Sequence, residues 1–176
     1  MREILRPHVV RLVQDINGNH VIQKCLHEYS LDDSQFVYDE FLDGCYEIAT
    51  HKHGCCVLQK CITKADPENK EKLINKVIEL TSTFVKDPFA NYVVQFLLEK
   101  KDFAINKRIA DQLKGSYLEL STEKFSSNVI EKVGQWVRCS AWNSIASRLR
   151  MRSYLSCFRP KNILISWRII TGITVS

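Results

Sequence analysis

Apolar residues recur at helical spacing along most of the chain. Phe36, Val37, Phe41, Leu42, Ile48 and Ala49 form one such run, and Leu73, Ile74, Val77, Ile78 and Leu80 form another. Asp66-Pro67 predicts an N-cap followed by a first helical residue, and Asp87-Pro88 predicts a break between two helices. No stretch shows the strict alternation of a half-buried strand. The segment Gly18-Asn19-His20-Val21-Ile22-Gln23-Lys24-Cys25-Leu26 returns 36 residues later as Gly54-Cys55-Cys56-Val57-Leu58-Gln59-Lys60-Cys61-Ile62. Two further steps of 36 give Ala90-Asn91-Tyr92-Val93-Val94-Gln95-Phe96-Leu97-Leu98 and Ser126-Ser127-Asn128-Val129-Ile130-Glu131-Lys132-Val133. Four helical pairs in tandem predict an all-α solenoid, each pair burying its apolar face against its neighbours.

The polar positions inside the repeat carry the functional signal. On a helix, positions i and i+4 share a face, which couples Asn19 with Gln23, Cys55 with Gln59, Asn91 with Gln95 and Ser127 with Glu131. The aliphatic pairs Val21/Ile22, Val57/Leu58, Val93/Val94 and Val129/Ile130 are expected in the core, so the polar pairs are expected on the opposite, open surface in a regular row. Between the members of each pair stand His20, Cys56, Tyr92 and Asn128, two of them flat rings. Hydrogen-bonding pairs with flat side chains between them suit unstacked bases read on their edges.

Composition narrows the field further. The chain has 176 residues, 45% hydrophobic and 26% charged, with 6 Gly and 4 Pro, which fits one folded domain and excludes collagen-like or low-complexity sequence. Its net charge of +5 is unevenly placed. Residues 1–131 hold 17 Lys and Arg against all 20 Asp and Glu, whereas residues 132–176 hold the other 8 basic residues, no acidic one and all three Trp. A nucleic-acid partner therefore cannot be read from bulk charge, only from residue placement. Seven cysteines without paired C-x-x-C spacing predict neither a zinc site nor a disulfide framework, and point to a reducing compartment. Cys25 and Cys61 fall at equivalent apolar positions and are expected in the core. His51-x-His53 reads as an interhelical loop, and no metal or cofactor is expected. The apolar run Ile163–Val175 is 13 residues long, short of the roughly 20 that span a bilayer. No nucleophile elbow, phosphate-binding loop or H-E-x-x-H motif supports an enzyme, and Asp39, Glu40 and Asp43 read as a solvated outer face.

The pentads NHVIQ, CCVLQ, NYVVQ and SNVIE resemble the RNA-reading motifs of Pumilio-family (PUF) repeats, over residues 1–135. The resemblance implies a right-handed α-solenoid whose base-edge residues are Asn19, Gln23, Cys55, Gln59, Asn91, Gln95, Ser127 and Glu131, with His20, Cys56, Tyr92 and Asn128 stacking on bases. Asn with Gln is similar to a uracil-reading pair, Cys55 leaves Gln59 for the adenine edge, and Glu131, with acceptors only, suits guanine N1–H and N2–H. With RNA running antiparallel to the repeats, as in the family, the implied sequence is 5′-GUAU-3′ within a UGUA-type site. Lys24, Lys60 and Lys132 are candidates for phosphates or the groove; Phe96 departs from that pattern. The resemblance further implies cytoplasmic binding of single-stranded messenger RNA in 3′ untranslated regions, repression or decay of the message, and deadenylase or repressor proteins as partners. No membrane and no small-molecule substrate is implied.

Two features depart from a full array of about eight repeats. The chain begins inside the first helix of its first pair, where an exposed apolar face is expected. The next pentad is due at residue 163, where Ile163, Leu164 and Trp167 cannot read a base. Residues 136–176 read either as a diverged cap, with Trp142, Ile145, Ala146 and Leu149 on one stripe, or as an out-of-frame tail. The Arg148, Arg150 and Arg152 cluster reads as a solvated face or a phosphate contact. Two other functions fit a solenoid: protein binding of the armadillo or HEAT type, and low-specificity RNA binding in ribosome biogenesis.

Overall fold

The computed structural model describes residues 2–143 of the chain, with side chains from Glu3 to Arg138. The side chains of the stripe beginning at Trp142, the Arg148–Arg152 cluster and the positions Ile163, Leu164 and Trp167 lie outside that description. Among the described residues every regular element is helical: α1 (Arg2–Leu5), a 3-10 turn (Arg6–His8), α2 (Val9–Gln14), α3 (Gly18–Glu28), α4 (Leu31–Asp43), α5 (Cys45–Ala49), α6 (Gly54–Lys64), α7 (Pro67–Glu79), α8 (Thr81–Phe84), α9 (Asn91–Glu99), α10 (Phe103–Gln112), α11 (Tyr117–Thr122) and α12 (Ser126–Asn143). None of these helices is long and apolar enough to cross a membrane.

The repeat is a triplet of helices rather than the expected pair. A long outer helix, a short connecting helix and an inner helix recur as α4-α5-α6, α7-α8-α9 and α10-α11-α12. The run from Phe36 to Ala49 is thus split at Gly44 between α4 and α5. Backbone angles explain the split. His8 (φ −113°, ψ 0°), Gly44 (−91°, 18°), Leu80 (−89°, 3°) and Ser116 (−109°, 7°) sit 36 residues apart in the bridge region, where an α-helix cannot continue straight. Four different residue types adopt one conformation, so packing and not propensity selects it.

Caps recur with the same period. Ser30 Oγ accepts from Asp33 N at 3.2 Å, Asp66 Oδ2 from Glu68 N and Asn69 N at 3.1 and 3.2 Å, and Asp102 Oδ1 from Ala104 N and Ile105 N at 2.9 and 3.1 Å. Each starts an outer helix and satisfies donors that the helix itself leaves open.

The layers stack in register. Inner helix α3 packs on α6, α6 on α9 and α9 on α12, while outer helix α4 packs on α7 and α7 on α10. Ile22, Leu58, Val94 and Ile130 are buried between the layers, as are Cys25, Cys61, Leu97 and Val133. The preceding position is more revealing. Val57, Val93 and Val129 are at most 1% exposed, but Val21 is 46% exposed and does not belong to the core as expected. Val57, Val93 and Val129 each belong to an inner helix that packs on the inner helix before it, and among the described residues α3 has no such helix. Ile16, 65% exposed, adds to the apolar face expected at that end. On the outer layer Asp39 and Glu40 are half-buried rather than fully solvated, because Arg6 reaches both, with Nε 3.1 Å from Glu40 Oε1. The Phe103 and Trp136 rings meet at 5.6 Å, and Val137 is buried, so α12 packs on the array beyond its pentad.

The small residue that opens each pentad is fixed by close approach. A Cβ built on Gly54 would lie 2.1 Å from the Ile48 carbonyl oxygen, and one on Gly18 would lie 2.8 Å from that of Leu12. Gly54→Ala is expected to lower stability by about 1–3 kcal/mol, with Gly18→Ala costing less, as read from chemical-denaturation midpoints. Equal, negligible losses would show that the helices separate freely at this contact.

Candidate nucleic-acid interface

Each inner helix is aimed by a turn whose polar residues also repeat every 36 positions: Asp15, His51, Asp87 and Glu123. Asp15 Oδ1 accepts from Asn17 N and Gly18 N at 2.8 and 2.6 Å, and Asp87 Oδ1 from Phe89 N and Ala90 N at 2.8 and 2.7 Å. The backbone N–H of Gly18, then that of Asn17, holds the Asp15 carboxyl below its ordinary range. His51 does similar work with Nδ1, accepting from His53 N at 3.3 Å, and Glu123 Oε2 lies 3.2 Å from Ser126 Oγ. His51-x-His53 is thus the second repeat's version of this turn. The period extends three residues upstream of the small residue, a signal present in the sequence that the pentads alone do not include.

The first member of each polar pair is not on the open surface. Asn19, Cys55 and Asn91 are 6%, 4% and 1% exposed, and Ser127 is half-buried. Their polar groups are spent inward on turn carbonyls. Asn19 Nδ2 donates to Asp15 O at 2.9 Å and Ile16 O at 2.7 Å; Asn91 Nδ2 donates to Asp87 O at 2.7 Å. Cys55 Sγ points to Lys52 O at 3.5 Å, and Ser127 Oγ to Lys124 O at 3.3 Å. A buried polar group without partners is costly, so carbonyls three and four residues back, at the helix start, draw these side chains in.

That inward bond determines what the second member presents. With Nδ2 occupied, Asn19 turns Oδ1 toward Gln23, which donates through Nε2 at 2.8 Å; Asn91 and Gln95 repeat the arrangement at 2.7 Å. The Gln amide is therefore oriented: Gln95 keeps Oε1 and its second Nε2–H for a ligand, and Gln23 keeps its second Nε2–H while its Oε1 also meets Lys60. Cys55 has no carbonyl oxygen and gives Gln59 no such anchor. Glu131 is exposed, and its Oε1 accepts from Gln135 Nε2 at 3.2 Å.

His20, Cys56, Tyr92 and Asn128 all project from the surface, with Tyr92 55% exposed. Tyr92 borders a cleft of about 300 Å³ between α6 and α9 that also holds Cys56, Gln59 and Gln95. A flat ring and two amides thus share one concavity. Phe96 lines it too, with Lys100 Nζ 4.5 Å from its ring centroid. The lysines divide. Lys24 is exposed, Lys60 Nζ donates to Gln23 Oε1 at 2.6 Å, and Lys132 Nζ pairs with Glu99 Oε1. The spacing of single residues could not reveal these bonds, because each joins one repeat to the one before it. Cys25 and Cys61 are buried as expected, and burial pushes both thiols up, while Cys56 is exposed.

The comparisons with known proteins converge on one family. The family model described as a Pumilio-family RNA binding repeat matches residues 8–42, 44–78, 82–113 and 116–133. The chain is 46% identical over 133 residues to Pumilio homology domain family member 4 of Saccharomyces cerevisiae, covering 73% of this chain and 15% of that protein. It is 44% identical over 128 residues to Pumilio homolog 9 of Arabidopsis thaliana, covering 73% and 22%. Its backbone is similar to the Puf4 RNA binding domain bound to HO endonuclease RNA 3′ UTR recognition sequence, at 41% identity and TM-score 0.70, over 79% of this chain and 46% of that one. It is also similar to the RNA-binding domain of yeast Puf5p bound to AAT2 RNA, at 34% identity and TM-score 0.74, over 95% and 46%. The chain spans less than half of each of these relatives and solved domains.

The inward role of the buried amides is open to direct test. Asn91→Ala removes the buried side-chain bond to the Asp87 carbonyl and releases Gln95, and is expected to cost about 1–3 kcal/mol in chemical denaturation. A solvent-facing Asn91 would instead lose next to nothing.

Proposed function

Because the chain belongs to the Pumilio family of RNA-binding repeats, we propose that its row of glutamine amides and Glu131 reads single-stranded RNA as 5′-GUAU-3′ within a UGUA-type site. The observation that carries this reading is the register of the row. Gln23, Gln59, Gln95 and Glu131 stand 36 residues apart on successive inner helices, each with an exposed side chain three positions before it. An oriented Gln offers one acceptor and one donor side by side, which complement N3–H and O4 of uracil or N6–H and N1 of adenine. Glu131 offers acceptors alone, and guanine N1–H and N2–H are the donors that match. Tyr92 borders the α6/α9 cleft beside Gln59 and Gln95, and a flat ring there suits stacking between successive bases; His20 holds the equivalent position two repeats earlier. Puf4 and Puf5p, similar in backbone over most of the described residues, were solved with RNA bound. Binding in 3′ untranslated regions of cytoplasmic messenger RNA, with repression or decay as the outcome and deadenylase or repressor proteins as partners, is the biological role proposed to follow.

The deciding measurement is fluorescence anisotropy of the purified chain with a short RNA containing UGUAU and with its G-to-C counterpart, at physiological salt. Preference for the first RNA is expected. Equal binding would indicate charge attraction without reading, and absence of binding to either a protein-interaction solenoid. Two sets of variants separate edge reading from stacking. Ser127→Asn with Glu131→Gln should move the preference at that one position from guanine to uracil. Tyr92→Ala should weaken binding by about 1–3 kcal/mol with base choice unchanged.

A further inference from the structure

Gln23 stands apart from its counterparts in what lies beside it. Lys60, on the next inner helix, brings Nζ within 2.6 Å of Gln23 Oε1. The position equivalent to Lys60 is Phe96 beside Gln59 and Lys132 beside Gln95, and the Lys132 ammonium is taken by Glu99. Two repeats before Glu99 stands His27, which shares a cleft of about 230 Å³ with Gln23 and Lys60 but carries no carboxylate. Lys60 has therefore turned to the amide oxygen. At the same site Asn19 has no donor left to give, because its Nδ2 is bonded to both Asp15 O and Ile16 O.

Resting on the base-reading function proposed above, we propose that Lys60 is a specificity-determining residue for the base read by the first repeat. The free Nε2–H of Gln23, its Oε1 and the Lys60 ammonium form a donor, an acceptor and a donor in sequence. Uracil presents the complement across its pairing edge: O4, N3–H and O2. In the same register adenine sets N6–H against Nε2–H, N1 against Oε1 and C2–H against the ammonium, cytosine presents donor, acceptor, acceptor, and guanine presents acceptor, donor, donor. Uracil alone satisfies all three groups. Lys60 thus supplies the third contact that the resemblance assigns to Asn19.

The test is anisotropy of the purified chain and two variants against RNAs ending GUAU, GUAA and GUAC, with the G-to-C RNA as an internal standard. Lys60→Met removes the ammonium. His27→Glu leaves Lys60 and Gln23 in place and offers the ammonium a carboxylate, as Glu99 does for Lys132. Both variants are expected to narrow the preference for uracil over adenine at the last position by about tenfold, the order of one charge-assisted hydrogen bond, with the guanine preference at Glu131 intact. An unchanged uracil-to-adenine ratio in Lys60→Met, with guanine preference intact, overturns the assignment. Equal weakening toward all three RNAs also overturns it, making Lys60 a phosphate contact. Absence of any base preference in the unaltered chain would instead overturn base reading itself.

Discussion

Everything on the candidate RNA face depends on how closely the start of each inner helix approaches the end of the short helix before it. In the second repeat the Ile48 carbonyl oxygen occupies the space a Cβ on Gly54 would need. In the fourth, where Ser126 does carry a side chain, its hydroxyl donates to the equivalent Leu120 carbonyl at 2.7 Å. One contact is made by removing a side chain, the other by bonding with it. Both fix where the inner helix begins, and every residue of the pentad is counted from that point. The residue three positions upstream then ties the turn: Asp15 and Asp87 accept from the backbone N–H of Gly18 and Ala90, and His51 from that of His53.

From that fixed start the amide relay follows. Asn19 and Asn91 sit one turn above the Asp15 and Asp87 carbonyls and add a side-chain bond to the one their own backbone N–H makes there, so their amides are drawn inward and their oxygens face Gln23 and Gln95. A Gln side chain left free in water has two amide orientations of nearly equal energy and would present donor and acceptor in either order. The buried Asn removes that choice. The first residue of each pair is thus a positioning residue for the second, and the exchange of Asn for Cys at position 55 changes the surface without itself reaching it.

Neighbouring repeats then modify one another. The bonds from Lys60 to Gln23 and from Lys132 to Glu99 begin at the same repeat position and end on different partners, because His27 and Glu99 differ. The polar environment of a single pentad therefore includes a residue 37 positions further along the chain.

The repeat, its period, the helical class and the residues of the candidate row were legible in the sequence, because a solenoid repeats its local contacts at a fixed interval. Ser30, Asp66 and Asp102 as caps, and Cys25 and Cys61 as core residues, could be read or inferred in the same way. Three things were decided only by tertiary structure. The bridge-region residues His8, Gly44, Leu80 and Ser116 share no chemistry, so the third helix of each repeat has no sequence signature; packing against the neighbouring repeat imposes it. Val21 carries the pattern of a core residue yet is exposed, since burial there comes from another helix and not from its own. Asn19, Cys55 and Asn91 share the open face by helical angle but are buried in fact. Spacing along a helix gives direction alone, and depth is set by what the neighbouring turn brings over the side chain.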